Sequence, residues 1–211
     1  MSTRYQSFPF RIPYWREFKA MSDEDSVTWC DHVRRLIPSR MTQLQRIVVL
    51  DEEFRHWAAD FSRESLAGLG AWLGARAFLS VLRKYDVEVC GERPEAPFAV
   101  RRAAPTDLEP RAESLMLDLG LYLGECMRAS APGFEWKRCA RKGSDLSNQL
   151  YLAREPDRTY DPLIPIGHRI LGSARLGEPA VDLQGLLDTW LAPSAYPWPP
   201  VRQRRKGTET G

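Results

Sequence analysis

Apolar residues recur at helical spacing along most of this chain, and breaks in that spacing mark its elements. Val27, Trp29, Cys30, Val33, Leu36 and Ile37 predict an amphipathic helix, opened by Ser22 with Asp25 where a capping box places Glu. Pro38 lacks a backbone N–H and predicts an end or kink, followed by a second segment from Ser39 to Leu50 and an acidic turn at Asp51 to Glu53. Leu69-Gly70-Ala71-Trp72-Leu73-Gly74 then returns as Leu119-Gly120-Leu121-Tyr122-Leu123-Gly124, and each copy follows a Glu-Ser-Leu (Glu64 to Leu66, Glu113 to Leu115). Glycines four apart share one helix face, roughly 6 Å apart along the axis. Two glycine-containing helices are therefore expected, from Ser62 to about Lys84 and from Thr106 or Asp107 to about Arg128. They have room to pack closely on each other. Apolar residues surround most of the second helix (Leu115, Leu117, Leu119, Leu121, Leu123, Cys126, Met127), which predicts a buried central element.

Elsewhere the period changes. Phe8 to Trp15 interleaves aromatics with Pro9 and Pro13 and reads as part of an extended arm over residues 1–20, lying across the body as a strap. Prolines and glycines from Asp86 to Pro105 read as a linker or irregular crossover. Phe134 to Cys139 alternates, and Gln149 to Ala153 is a second strand candidate, so the two predict a hairpin. Asp161-Pro162 opens a helix to about Leu176, and a last helix runs from about Asp182 to Leu191 before a proline-rich tail. The expected fold is α+β, predominantly helical, with central Gly-xxx-Gly helices and a small antiparallel hairpin or sheet. It forms a single globular domain over residues 1–200, with a basic disordered tail at 201–211.

Composition narrows the function classes. A chain of 211 residues that is 43% hydrophobic and 27% charged is an ordinary globular protein with a substantial core. The net charge is +2, but the last eleven residues carry Arg202, Arg204, Arg205 and Lys206 against Glu209. The first 200 residues therefore sum to about −1, and the body is not a polyanion binder by net charge. Cys30, Cys90, Cys126 and Cys139 form no CxxC pair and no Cys/His cluster of zinc-site spacing. Neither a signal peptide nor an apolar run of membrane-spanning length is recognisable, so the cytoplasm is the expected location.

One constellation stands out as candidate chemistry. Asp118, Tyr122 and Glu125 fall on one stripe of the otherwise apolar second glycine helix, whereas the matching positions of the first copy are Gly68, Trp72 and Ala75. Two carboxylates on one face can divide acid and base roles, hold a divalent cation or form an acidic contact surface; alternatively they pair with arginines. Trp136 and Tyr151, on opposite arms of the hairpin, are candidate binding anchors. His32, His56 and His168 are isolated, and the chain has no Walker loop, no Gly-x-Gly-x-x-Gly after a strand and no HExxH. Arg34, Arg35, Arg40 and Arg46 come nearest to a basic patch, with acidic residues nearby.

The run Asp118 to Glu125, Trp136 in a strand, Asn148-Gln149 before another, and Asp161-Pro162 opening a helix resembles a group of bacterial "YLGE"-helix proteins associated with immunity proteins of toxin systems. The resemblance covers about residues 110 to 175. It implies a cytoplasmic, non-catalytic module that binds a protein partner, such as a cognate toxin encoded nearby, without cofactor or metal. Asp118, Tyr122, Glu125, Trp136 and Tyr151 are the expected contact residues, with no membrane or nucleic-acid partner. The alternatives are a small metal-dependent enzyme using Asp118 and Glu125, and a nucleic-acid-associated regulator using the basic tail.

Overall fold

A computed structural model describes residues 8–9, 13, 15–74, 110–140, 147–154, 158–160 and 182–192. The chain forms α1 (Trp15–Ala20), α2 (Asp23–Val48), a 3-10 turn (Glu52–Phe54), α3 (Arg63–Gly74), α4 (Pro110–Ser130), β1 (Phe134–Arg138), β2 (Leu150–Arg154), β3 (Arg158–Tyr160) and α5 (Leu183–Leu191). The fold is α+β, mostly helical with a small antiparallel sheet. The arm expected to stay extended through residue 20 instead turns into α1 at Trp15, past the last residue that a following proline restrains. The predicted continuation of α3 to Lys84, the linker at 86–105, the helix at 163–176 and the tail at 201–211 lie outside the described residues.

The Ser22 hydroxyl accepts from the Asp25 N–H at 3.0 Å and donates to its carboxylate, so the cap read from sequence opens α2. Of the end or kink that Pro38 predicts, the end does not occur: the helix runs through Pro38 to Val48. Pro38 lies on the solvent side, while Trp29, Cys30, Val33, Ile37, Met41, Leu44 and Ile47 are buried on the opposite face. Burying a large apolar side chain is worth roughly 2 kcal/mol. That seam outweighs the roughly 3 kcal/mol cost of an interior proline.

α4 is the centre of the fold. It touches α2, α3, α5 and β1, and every residue from Leu117 to Gly124 is buried. Gly124 has a specific use: a Cβ there would collide with the Trp136 indole, which lies against the helix at that point. α3, the first glycine helix, contacts α4 and also α5.

The sheet has the order β1-β2-β3, with both pairs antiparallel. Trp136 stands opposite Leu152, and Lys137 opposite Tyr151. The third strand carries no alternation long enough to announce it, being Arg158-Thr159-Tyr160. Asn148 holds the hairpin onto the helices from a left-handed conformation (φ 65°), which Asn tolerates better than most residues. Its Nδ2 donates to the carbonyls of Phe18 (2.9 Å) and Met21 (3.0 Å), while its Oδ1 accepts from Arg138, which also reaches Asp23 and Ser26.

Gly124→Ala is expected to lower stability by about 1–3 kcal/mol in urea unfolding, because the new methyl meets a ring that the sheet holds in place. Trp136→Leu in the same background should recover part of that loss, giving a strongly non-additive double-mutant cycle.

Candidate functional site

The polar stripe of α4 is built from three separate networks. Asp118 is fully buried and receives two parallel bonds from Arg40 of α2, Nε to Oδ1 at 2.7 Å and Nη2 to Oδ2 at 2.6 Å. Arg40 is itself 3% exposed. A bidentate pair is the geometry in which a buried guanidinium and carboxylate best offset their lost hydration. Phe8, from the N-terminal arm, lies over Arg40 with its ring centroid 4.5 Å from Cζ, and its backbone N–H donates to Ser114 Oγ of α4 at 2.9 Å. Arm, α2 and α4 therefore meet at one charged pair.

One turn further along α4, Tyr122 is also fully buried. The Phe61 N–H donates to its Oη at 3.3 Å, and Oη lies 2.6 Å from Ser65 Oγ, whose own hydroxyl donates to the Ser62 carbonyl at 2.8 Å. This orients the phenol O–H toward Ser65. The Trp57 and Phe61 rings flank the phenol at 5.5 and 5.4 Å, and Trp57 Nε1 donates to the Ser65 carbonyl at 2.7 Å. Phe61 adopts φ 62°, rare for an aromatic residue, and the Tyr122 hydroxyl satisfies its backbone N–H there. Burial pushes the phenol well above its ordinary range, so it serves as a neutral donor.

Glu125 closes the stripe toward the sheet. It accepts from Trp136 Nε1 at 2.7 Å and from Arg128 at 2.9 Å on each carboxylate oxygen. The Trp136 carbonyl in turn accepts from Arg34 Nη1 at 3.4 Å, tying the exposed edge of β1 to α2. Tyr151, half-buried, points to the opposite side of β2 from the buried Leu150 and Leu152.

The five residues singled out from sequence thus divide. Asp118 and Tyr122 have no exposed surface and Trp136 has 6%, so in this conformation none of the three offers a face to a partner; Glu125 and Tyr151 keep part of theirs. Asp118 and Glu125 pair with different arginines, Arg40 and Arg128. The basic group disperses: Arg40 turns inward, while Arg34, Arg35 and Arg46 are exposed. Among the described residues no group of three or more His, Cys, Asp or Glu is arranged to hold a metal ion. No helix is long and apolar enough to cross a membrane among those residues.

Arg40, Ser65, Ser114 and Phe8 complete these networks, and periodicity could have found the first. Val33, Ile37, Arg40, Leu44 and Ile47 follow one another at helical spacing, so an arginine there sits in an apolar seam and calls for a buried acid. Ser65 and Ser114 occupy the same place in the two Glu-Ser-Leu segments, and each accepts a hydrogen bond from a distant element. The chain matches no protein-family model, no curated protein and no solved structure.

Arg40→Met leaves Asp118 buried without its cation and is expected to cost about 3–5 kcal/mol by urea unfolding. Adding Asp118→Leu should restore much of that stability, because the apolar pair leaves no charge in the interior.

Burial also raises the thiols of Cys30 and Cys126 to about 12 from an ordinary 9.0. The unfolded chain ionises first, so their contribution to stability is complete below pH 9.0 and lost as pH rises toward 12. The fall in melting temperature over that window should be shallower in C30A and in C126A. An unchanged slope in both would show that other groups control it.

Proposed function

We propose that this protein is a non-catalytic protein-binding module, and that it acts as an immunity-type protein that occupies and neutralises a bacterial toxin. The observation that supports binding over carboxylate chemistry is the commitment of both acids: Asp118 to Arg40, and Glu125 to Trp136 and Arg128. A general acid or base needs a proton partner in its substrate. These carboxylates already hold cations and donors of their own chain.

The resemblance to "YLGE"-helix proteins supplies the immunity reading, and the geometry gives its motif a physical role. Tyr122 fastens α4 to the start of α3, Gly124 admits the Trp136 ring, and Glu125 takes the indole N–H. Such a motif secures a helix-to-sheet frame. Recognition then falls to exposed positions, which are free to vary with the partner.

The test is co-expression with the largest neighbouring open reading frame, followed by growth measurement and size-exclusion chromatography. Rescue from toxicity together with a stoichiometric complex is the expected result. Glu125→Gln should preserve both, because the amide oxygen still accepts from Trp136. Multiple turnovers of a substrate by this chain, abolished by E125Q while the fold persists, would overturn the reading in favour of an enzyme.

A further inference from the structure

We infer that the outer edge of β1 is a dimer interface: β1 of a second copy of this chain pairs with it antiparallel, centred on Trp136, so that one sheet runs through both copies. The order β1-β2-β3 leaves β1 at an edge. Cys139, just past the strand, turns both backbone groups toward β2, its N–H to the Gln149 carbonyl at 2.9 Å and its carbonyl to the Asn148 N–H at 2.8 Å. Backbone direction alternates along an antiparallel strand, so Glu135 and Lys137 also face β2, and Trp136 faces outward. The Arg34 bond to the Trp136 carbonyl comes from that outer side.

This edge is self-complementary in one register. A two-fold axis beside Trp136 sets that residue opposite its own counterpart, and the outward N–H and carbonyl of each copy then bond to those of the other. The same axis puts Glu135 opposite the partner's Lys137 and Lys137 opposite the partner's Glu135. Both side chains stand on the face away from the buried Phe134 and Trp136, and they are 69% and 35% exposed. Opposite charges at directly facing positions stabilise a strand pair. Sliding the pairing one step either way sets Glu135 or Lys137 opposite its own copy, so charge selects the register centred on Trp136. Arg34 does not close the edge, because its bond to the carbonyl is long, 3.4 Å, and its other terminal nitrogen is paired with Asp31. Releasing the carbonyl leaves the guanidinium with an acid. A strand of five residues buries less than the roughly 1,200 Å² of a standard stable interface, so the association is reversible and concentration-dependent.

Charge exchange across the strand pair tests the register. Analytical ultracentrifugation of the full chain from about 10 μM to about 500 μM should show a reversible monomer–dimer equilibrium. Glu135→Lys and Lys137→Glu each set like charges opposite one another twice, and each should weaken that equilibrium at least tenfold. A one-to-one mixture of the two variants regains both opposite pairs and should form a heterodimer, and the E135K/K137E double variant should self-associate again. Amide exchange on the unsubstituted chain supplies a second reading without any substitution. The Trp136 N–H should exchange at least fivefold more slowly at the highest concentration than at the lowest, while that of Lys137, which faces β2, stays constant. Association that ignores the charge substitutions, or Trp136 exchange independent of concentration, would overturn the self-pairing. A chain that is monomeric at every concentration would also overturn it and would leave the edge to a strand of a different protein.

Discussion

An arginine and an aspartate removed from water set the terms for the arrangement around them. Desolvating either charge alone costs several kcal/mol, and only a close, two-bond approach returns a comparable amount. Arg40 and Asp118 make that approach between α2 and α4, fixing the longitudinal register of the two longest described helices. Leucines on α4 are interchangeable within limits, and an apolar seam tolerates sliding. A bidentate pair does not, because displacement by one residue leaves both charges unsatisfied. Phe8, Ser114, the Tyr122 network and the Trp136 seat all take positions relative to the register this pair selects.

Much of the fold was legible because helical periodicity reports burial directly. The cap and apolar seam of α2, the span of α5, the burial of α4 and the β1–β2 hairpin follow from spacing and turn chemistry. Pro38 does not end α2 because its penalty is local, whereas the seam that overrides it is distributed from Trp29 to Ile47. β3 escaped notice because three residues pair through backbone bonds and need no side-chain pattern. Gly124 was legible as a close-approach position, but the approaching group was not: a Gly that accommodates an indole and a Gly that accommodates a helix leave the same mark in a sequence.

The candidate site was legible in membership and not in meaning. Asp118, Tyr122 and Glu125 do share a stripe of α4, as their spacing dictates. The partners that decide their roles come from α2, α3, β1 and α4 itself. Nothing at position 118 distinguishes an acid facing Arg40 from one facing solvent; the information sits at position 40, where an arginine interrupts an apolar seam. Read together, the two interruptions identify each other, since a buried cation and a buried anion are each costly alone.

A polar residue on a helix with an apolar circumference is subject to a stronger constraint than one on an amphipathic helix. It has no solvent face to occupy, so its hydrogen-bonding groups must be met by neighbouring elements. α4 meets that requirement in a different direction at each step: Asp118 toward α2, Tyr122 toward α3, and Glu125 toward β1. One helix thereby orients three neighbours through directional bonds, while its leucines supply the non-directional attraction. The polar groups specify which way each neighbour turns, and on α4 they do so from buried or largely buried positions. A frame whose alignment is fixed internally can change its outward residues without losing its shape, which is the property a protein needs if its surface must fit a particular partner.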